Sequence, residues 1–423
     1  MGRCVRRPRK LSEIVRGAAS PLGILLPPPK RRPRLYVSAN LPQSTIEGSD
    51  IWSREPISSV AAGANGSATG GTVDVSPKIS VVIPSYNYGK YLGQSVRSAA
   101  TQLGVDHEVV IVENASTDGS LEIARSLANE YPNVRLVSFA SNEGIISSIN
   151  RCWSEARGEY GVLLCADDLL TPGSLARSLA VMESHPNVGL VFGPADAFSG
   201  DDAPAEIDDA MSEVSPIVHS GEAWIKERCR TGINPMFTPE VMIRTRVLRK
   251  VGGVNPKCPH TSDLNLWLRI ASEADVAYLP GQLQARYRRH PLNHSIAYQR
   301  DVLAEMEQKW AAFEQFFLAV ASPKKAEWEL LVRKALAKEV RYRVAREFSL
   351  AGAGSSYDYK PPLIFADSLD PPINSRAARE AAWAIRVRIG PRAANLMPTL
   401  WVVRIHRLFQ KYLWARRARR VGI

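Results

Sequence analysis

The chain has 423 residues, of which 45% are hydrophobic and 23% charged, the make-up of an ordinary globular protein with room for two or three domains. Collagen-like, coiled-coil and wholly disordered architectures are excluded. So is a membrane span, since no run approaches the roughly 18–20 apolar residues it needs. The formal net charge of +12 sits at the ends. Residues 1–77 hold 11 Lys+Arg against 5 Asp+Glu, residues 371–423 hold 12 against one, and the body between them is mildly acidic. That distribution argues against a nucleic-acid-binding body, and no specific nucleic-acid motif is present. Basic ends suit an anionic surface, or are simply solvated. Five scattered cysteines without a Cys-x-x-Cys read as reduced thiols, giving neither a disulfide framework nor a zinc site.

Residues 1–77 are rich in Pro, Arg, Ser and Gly and lack apolar periodicity, so a disordered basic segment is expected. The apolar patch Pro21–Leu26 runs into Pro27-Pro28-Pro29, too short and broken for a signal-peptide core. Order is expected from Lys78. Ile79–Ile83 is a β-branched strand stopped by Pro84, and Tyr91–Gln102 is helical. Strands follow at Glu108–Val112, Val134–Phe139, Tyr160–Cys165 and Val188–Phe192. Helices lie between them at Ser120–Glu130, Ile145–Ala156 and Thr171–Ser184. Such alternation predicts an α/β fold, a mostly parallel sheet with helices on both faces, which binds ligands beyond the carboxyl ends of its strands.

Those ends carry the polar residues. The first strand ends in Pro84-Ser85-Tyr86-Asn87, where neither Gly-x-Gly-x-x-Gly nor a phosphate loop appears, so oxidoreductase and NTPase functions recede. The second ends in Glu113-Asn114-Ala115-Ser116-Thr117-Asp118-Gly119. Glu113 is placed to accept hydrogen bonds from a base or ribose, whereas Asp118 reads as a helix cap. The fourth ends in Cys165-Ala166-Asp167-Asp168. Two adjacent acids after an apolar run call for a partner, and a hard divalent cation bridging phosphate oxygens supplies one. The plainer alternative is that Asp168 caps the following helix.

Residues 78–295 resemble glycosyltransferase family 2 with its GT-A (Rossmann-like) fold. The resemblance rests on Val82–Asn87, Ile111–Ser120, Asn142-Glu143-Gly144 with Asn150, and Gly158-Glu159-Tyr160 leading into Ala166-Asp167-Asp168. It continues through Gly252-Gly253-Val254, Ser262–Arg269 and Tyr287-Arg288-Arg289-His290-Pro291, all in family order. It implies a nucleotide-sugar donor held by Pro84, Ser85, Tyr86, Glu113, Ser116, Asn142, Asp167 and Arg289, with Arg288 as an alternative to Arg289. It implies Mn2+ or Mg2+ at Asp167, Asp168 and His290, although His290 also reads as a plain loop histidine. Asp263 would be the general base for an acceptor hydroxyl, giving inversion. Without the resemblance, Asp263 reads as a helix cap.

Three positions depart from the family pattern. Cys165 stands where the first acid of Asp-x-Asp is usual, Glu113-Asn114 replaces an acidic pair, and Ser262 replaces an acid before Asp263. The expected function is a metal-dependent inverting transferase serving surface polysaccharide, glycolipid or glycoprotein synthesis. Its acceptor would be a saccharide, a lipid-linked group or a protein. The alternative is a catalytically weakened member that binds nucleotide sugar or a partner. A cytoplasmic location, peripheral on the inner face of a membrane, goes with the first.

Residues 78–300 thus form the expected catalytic domain. A helical extension is expected at 301–350, with Trp310, Phe313, Phe316 and Phe317 as packing residues. A linker is expected over 351–375 and a basic tail over 376–423. In that tail Leu400–Ala415 places Trp401, Ile405, Leu408, Phe409 and Tyr412 on one arc and Arg404, Arg407 and Lys411 on another. The pattern suits an anionic membrane surface, or docking on the protein's own body.

Overall fold

In β1 (Ile79–Ser85) the side chains alternate between two cores. Val81 and Ile83 join Leu92 and Val96 of α1 (Gly89–Ala100), Ala124 of α2 (Ser120–Glu130) and Leu175 of α4 (Ser174–Ser184). Val82 faces the other way, toward Trp153 of α3 (Ile145–Glu155), Trp224 of α5 (Gly221–Thr231) and Trp267 of α7 (Ser262–Ala271). That period-2 division puts helices on both faces of the sheet. The computed structural model describes residues 76–204, 215–293, 301–350 and 358–371. The expected tail helix at Leu400–Ala415, and residues 1–75 of the expected basic segment, lie outside them.

β1 pairs in parallel with β2 (His107–Glu113) and β4 (Tyr160–Leu163), and β2 with β3 (Val134–Ser138). The sheet continues through β6 (Val188–Phe192), β8 (Ile217–His219), β9 (Val241–Arg244) and β10 (Asp275–Tyr278). Its order is β3-β2-β1-β4-β9-β6-β10-β8. The α/β class and the mostly parallel sheet follow the expectation. β9 does not, since it inserts antiparallel between β4 and β6. A second sheet of three strands joins β5 (Leu169–Leu170), β11 (Ala285–Arg289) and β7 (Ala195–Ser199), with β11 central.

Pro84 does not stop β1, which runs on to Ser85. The Val82 carbonyl accepts from Leu164 on the β4 side, and the Ser85 carbonyl accepts from Asn114 on the β2 side. By alternation Pro84 faces β4, beyond the last pair at Val82 and Leu163, where a missing N–H breaks no ladder bond. The helix expected from Thr171 begins at Ser174, because β5 pairs Leu169–Leu170 with β11 and Gly173 turns left-handed at φ 71°.

α8 (Val302–Ala319) is capped by Asp301, whose Oδ1 accepts from the Leu303 and Ala304 N–H groups. Phe313, Phe316 and Phe317 are buried, and Trp310 packs against the same core. α8 is tied to α7 where Asn265 Nδ2 donates to the Ala312 carbonyl and Thr261 Oγ1 to the Gln308 carbonyl. α9 (Lys325–Leu350) packs on α5. The expected 351–375 linker contains a helix, α10 (Lys360–Leu369). Pro361 and Pro362 fall in its first turn, where their lost N–H groups cost nothing, and Ala366 and Leu369 are buried. Among the described residues no helix is long and apolar enough to cross a membrane.

Candidate active site

The carboxyl ends of β1 to β4 bring the expected donor-side residues together. Ser85 and Glu113 are register partners at the tips of β1 and β2. Tyr86 is exposed and Pro84 half-buried, while Ser85 is buried with a hydroxyl that has no hydrogen-bond partner. Ser116 Oγ accepts the Asn87 N–H at 2.9 Å. Exposed Asn142 joins the group through Asn114, whose amide donates to Asn142 Oδ1 at 3.0 Å.

Glu113 has a different task from the direct ligand contact expected of it. It is fully enclosed, and its oxygens accept the Ser116 N–H at 2.7 Å and the Ala115 N–H at 3.1 Å. These bonds hold Ala115 in the left-handed region at φ 56° and shape the loop at the strand tip. Asp118 does cap: Oδ1 accepts the Ser120 N–H, and Oδ2 ties in Gly89 of α1.

The second wall follows β4. Asp167 and Asp168 are both buried, and one ligand atom from each lies within 4.8 Å of the other and of the Cys165 thiol. Asp168 Oδ1 accepts the Arg288 N–H at 2.9 Å, but the enclosed Oδ2 has no hydrogen-bond partner. Burial pushes the Asp168 carboxyl well above the ordinary range, and the charge of Asp167 adds to this. Burial raises Asp167 too, with His290 pulling against it. The charge of the buried Arg288 guanidinium draws both back toward the ionised form, and an oxygen pair with one orphaned atom suits a hard divalent ion. Asp167 and Asp168 would hold such an ion.

His290 sits against Asp167 but not as a free ligand. Its Nδ1 accepts the Leu292 N–H at 3.3 Å, which leaves Nε2 to face Asp167 Oδ2 at 2.9 Å. Both nitrogens are engaged here, so His290 buttresses Asp167, the acid beside which the expected metal-ligand role would also place it. Asn293 donates to the same oxygen at 3.1 Å. The two arginines part company. Arg288 is fully buried, donating to the Asp167, Gly200 and Asp201 carbonyls and to Gln94, and stacks between Tyr91 and Phe198. Arg289, next along β11, is exposed. Arg288 is thereby removed as a diphosphate ligand.

Asp263 lies in the first turn of α7, half-buried, and Asn234 Nδ2 donates to its Oδ2 at 2.7 Å. Burial pushes its carboxyl up, while the Leu264 N–H and Asn234 pull against the rise. Cys165 lies with the acid pair. Burial raises its thiol most, then Asp168 and Asp167, and the charge of Asp263 also reaches it. The charge of the partly buried base candidate thus reaches the thiol that adjoins the acid pair.

Sequence reasoning missed Asn234, Asn293, Tyr88 and Phe237. Tyr88 meets the ring of His290 edge-on at 5.9 Å, and burial together with the charges of Asp167 and Cys165 raises its hydroxyl. Phe237 stacks on Tyr287 at 4.5 Å. The Asn-Pro at 234–235 was the one available signal, and it marks a turn rather than a role.

Comparison with known proteins places this geometry. The model of the family described as glycosyl transferase family 2 matches residues 80–243. An uncharacterized glycosyltransferase of Nostoc sp. is 32% identical over 189 residues, covering 42% of this chain and 54% of that protein. The chain thus spans about half the length of that relative. A chondroitin synthase of Pasteurella multocida is 40% identical over 116 residues, covering 27% of this chain and 12% of the synthase. Among solved structures, S. aureus TarS 1-349 in complex with UDP-GlcNAc superposes with a TM-score of 0.54 at 18% identity, over 78% of this chain and 92% of that one. At that identity the likeness shows the fold.

Proposed function

The chain carries a family 2 glycosyltransferase domain, and on that premise we propose that it transfers a sugar from a nucleoside-diphosphate sugar to an acceptor hydroxyl with inversion. The observation that carries this reading is the enclosed Asp167–Asp168 pair, with Asp168 Oδ2 lacking a partner and the charge of Asp263 reaching the adjoining Cys165 thiol. The UDP-GlcNAc held by TarS supports a nucleotide-sugar donor.

The donor's base and ribose would lie over the loops that Ser85, Tyr86 and Ser116 shape, with the diphosphate toward Asp167. A bound Mn2+ or Mg2+ supplies positive charge to the leaving diphosphate. Exposed Arg289 is placed to add to it. Asp263 takes the acceptor proton as the hydroxyl oxygen attacks the anomeric carbon, and the bond to the diphosphate breaks on the opposite face. One displacement inverts the centre. The Cys165 thiol, raised by burial, stays neutral and adds no charge at the donor side.

The acceptor is read as a saccharide, a lipid-linked group or a protein, in surface polysaccharide, glycolipid or glycoprotein synthesis. The basic arc of Leu400–Ala415 would bring it to an anionic membrane, which sedimentation with anionic vesicles tests. The central test is release of nucleoside diphosphate from a panel of nucleotide sugars, with Mn2+ or with EDTA. Metal-dependent release that Asp263→Asn abolishes supports the reading. Absence of turnover with intact donor binding favours the weakened, binding-only alternative.

A further inference from the structure

Among the described residues one side chain hydrogen-bonds the Asp263 carboxylate. Asn234, in the loop after α5, donates from Nδ2 to Asp263 Oδ2 at 2.7 Å. A carboxamide has donors at one end and an acceptor at the other. Here the Asn234 Oδ1 accepts the Met236 N–H at 3.3 Å, so the NH2 end faces the acid.

The loop that carries Asn234 is held on both sides. Before it, Gly232 ends α5 in the left-handed region at φ 64°, its N–H donating to the Arg228 carbonyl at 2.7 Å. A Cβ there would stand 3.0 Å from Leu336 Cδ2 of α9, so the turn is packed as well as bent. After it, the Phe237 N–H donates to Glu240 Oε1 at 3.1 Å while the Phe237 ring stacks on Tyr287. An amide 29 positions from the acid is thereby fixed against it.

A donor on one oxygen fixes the plane of a carboxylate and favours its charged form, the form able to accept a proton. The start of α7 contributes in the same sense through the Leu264 N–H. The charge of Asp263 adds to the rise of the nearby Cys165 thiol, which stays neutral. We infer that Asn234 is a positioning residue for Asp263, aiming the carboxylate at the acceptor hydroxyl and stabilising it in the ionised state. This rests on Asp263 being the base.

Two variants of the full-length protein test it. Asn234→Ala removes the amide. Asn234→Asp keeps its size and the bond from Met236, but sets a second carboxylate against Asp263, and it serves where the smaller side chain impairs folding. Protein labelled with 13C at aspartate carboxyls is titrated, and the resonance missing from Asp263→Asn is assigned to Asp263. The expected result is a midpoint about one pH unit higher in Asn234→Ala, a tenfold change in ionisation, and higher still in Asn234→Asp. An unchanged midpoint in both overturns the inference.

The second arm is release of nucleoside diphosphate from UDP-glucose, UDP-N-acetylglucosamine or GDP-mannose with Mn2+. In Asn234→Ala, kcat at neutral pH falls about tenfold, with KM for the donor unchanged and the acid limb of the pH profile moved upward. Wild-type turnover by Asp263→Asn overturns the base assignment itself. An inactive Asp263→Asn beside an Asn234→Ala with the wild-type rate and pH profile overturns the positioning role alone.

Discussion

His290 Nε2 lies 2.9 Å from Asp167 Oδ2, and less than a tenth of either side chain is exposed. The imidazole turns one oxygen of the acid away from solvent and leaves the other for a cation. Removing the acid should therefore cost more than removing the buttress. Asp167→Ala is expected to abolish Mn2+-dependent binding of a nucleoside diphosphate. His290→Ala should weaken it about tenfold, the loss typical of a partner that orients a metal ligand. Calorimetric titration of Mn2+ and UDP checks both, and equal affinity in Asp167→Ala and the wild type contradicts the assignment.

Folding acts against the charge on Asp263. Its carboxyl is raised by burial, so the ionised form is worth less in the native state than in the unfolded one. The native state binds more protons between the two pKa values, and stability falls as pH rises through that window. Asp263→Asn should therefore be inactive yet melt about 2–4 °C higher above the native pKa. The gain should vanish once the pH is below the unfolded value. Scanning calorimetry across pH measures it, and a lower Tm for the variant at neutral pH would falsify the argument.

Gly158 is pinned by backbone alone. A Cβ there would meet Ser80 N at 2.6 Å, the Ile79 carbonyl carbon at 2.7 Å and the Tyr160 oxygen at 2.8 Å. Ser80 Oγ also accepts the Gly158 and Arg157 N–H groups and donates to Glu108. None of these backbone atoms can swing aside, so Gly158→Ala is expected to destabilise the fold by about 1–3 kcal/mol. Urea denaturation provides the check, and a midpoint equal to wild type would show that β1 and β4 can part there.

Arg288 and Arg289 should separate cleanly. Arg288→Lys cannot reproduce four donations from one planar fork, and is expected to lower Tm and weaken Mn2+ binding together. Arg289→Ala should leave Tm unchanged while loosening UDP about tenfold, the loss of one charge-assisted contact. Thermal melts with and without UDP and Mn2+ distinguish them. A reversed pattern would exchange their roles.

These four cases show where the sequence is readable. The strands and helices from Ile79 to Phe192 stand out because each apolar run has a single period and ends at polar residues. Asp167 and Asp168 stand out because two adjacent acids follow the apolar run Val162-Leu163-Leu164 after only Cys165 and Ala166. Neighbours on a strand face opposite sides, so nothing in Arg288-Arg289 says which is buried; β11 decides it by pairing with β5 and β7. β9 is four buried residues whose pattern has no direction, so its antiparallel insertion is set by the long-range partners β4 and β6. Asn234 is in the same position, since its partner lies a helix and a strand away in sequence.

The groups that buttress the acid pair and the candidate base belong to different elements, joined where Phe237 stacks on Tyr287. Arg288, Arg289 and His290 leave the small sheet at or just beyond β11, whereas Asp263 and Asn234 belong to α7 and to the loop packed beneath α9. Drift in residues 233–236 of that loop would change the surroundings of Asp263, while Phe237, stacked on Tyr287, ties the end of the loop to β11. Under the proposed reading, the acceptor side can vary at residues 233–236 while the donor side stays with β4 and β11.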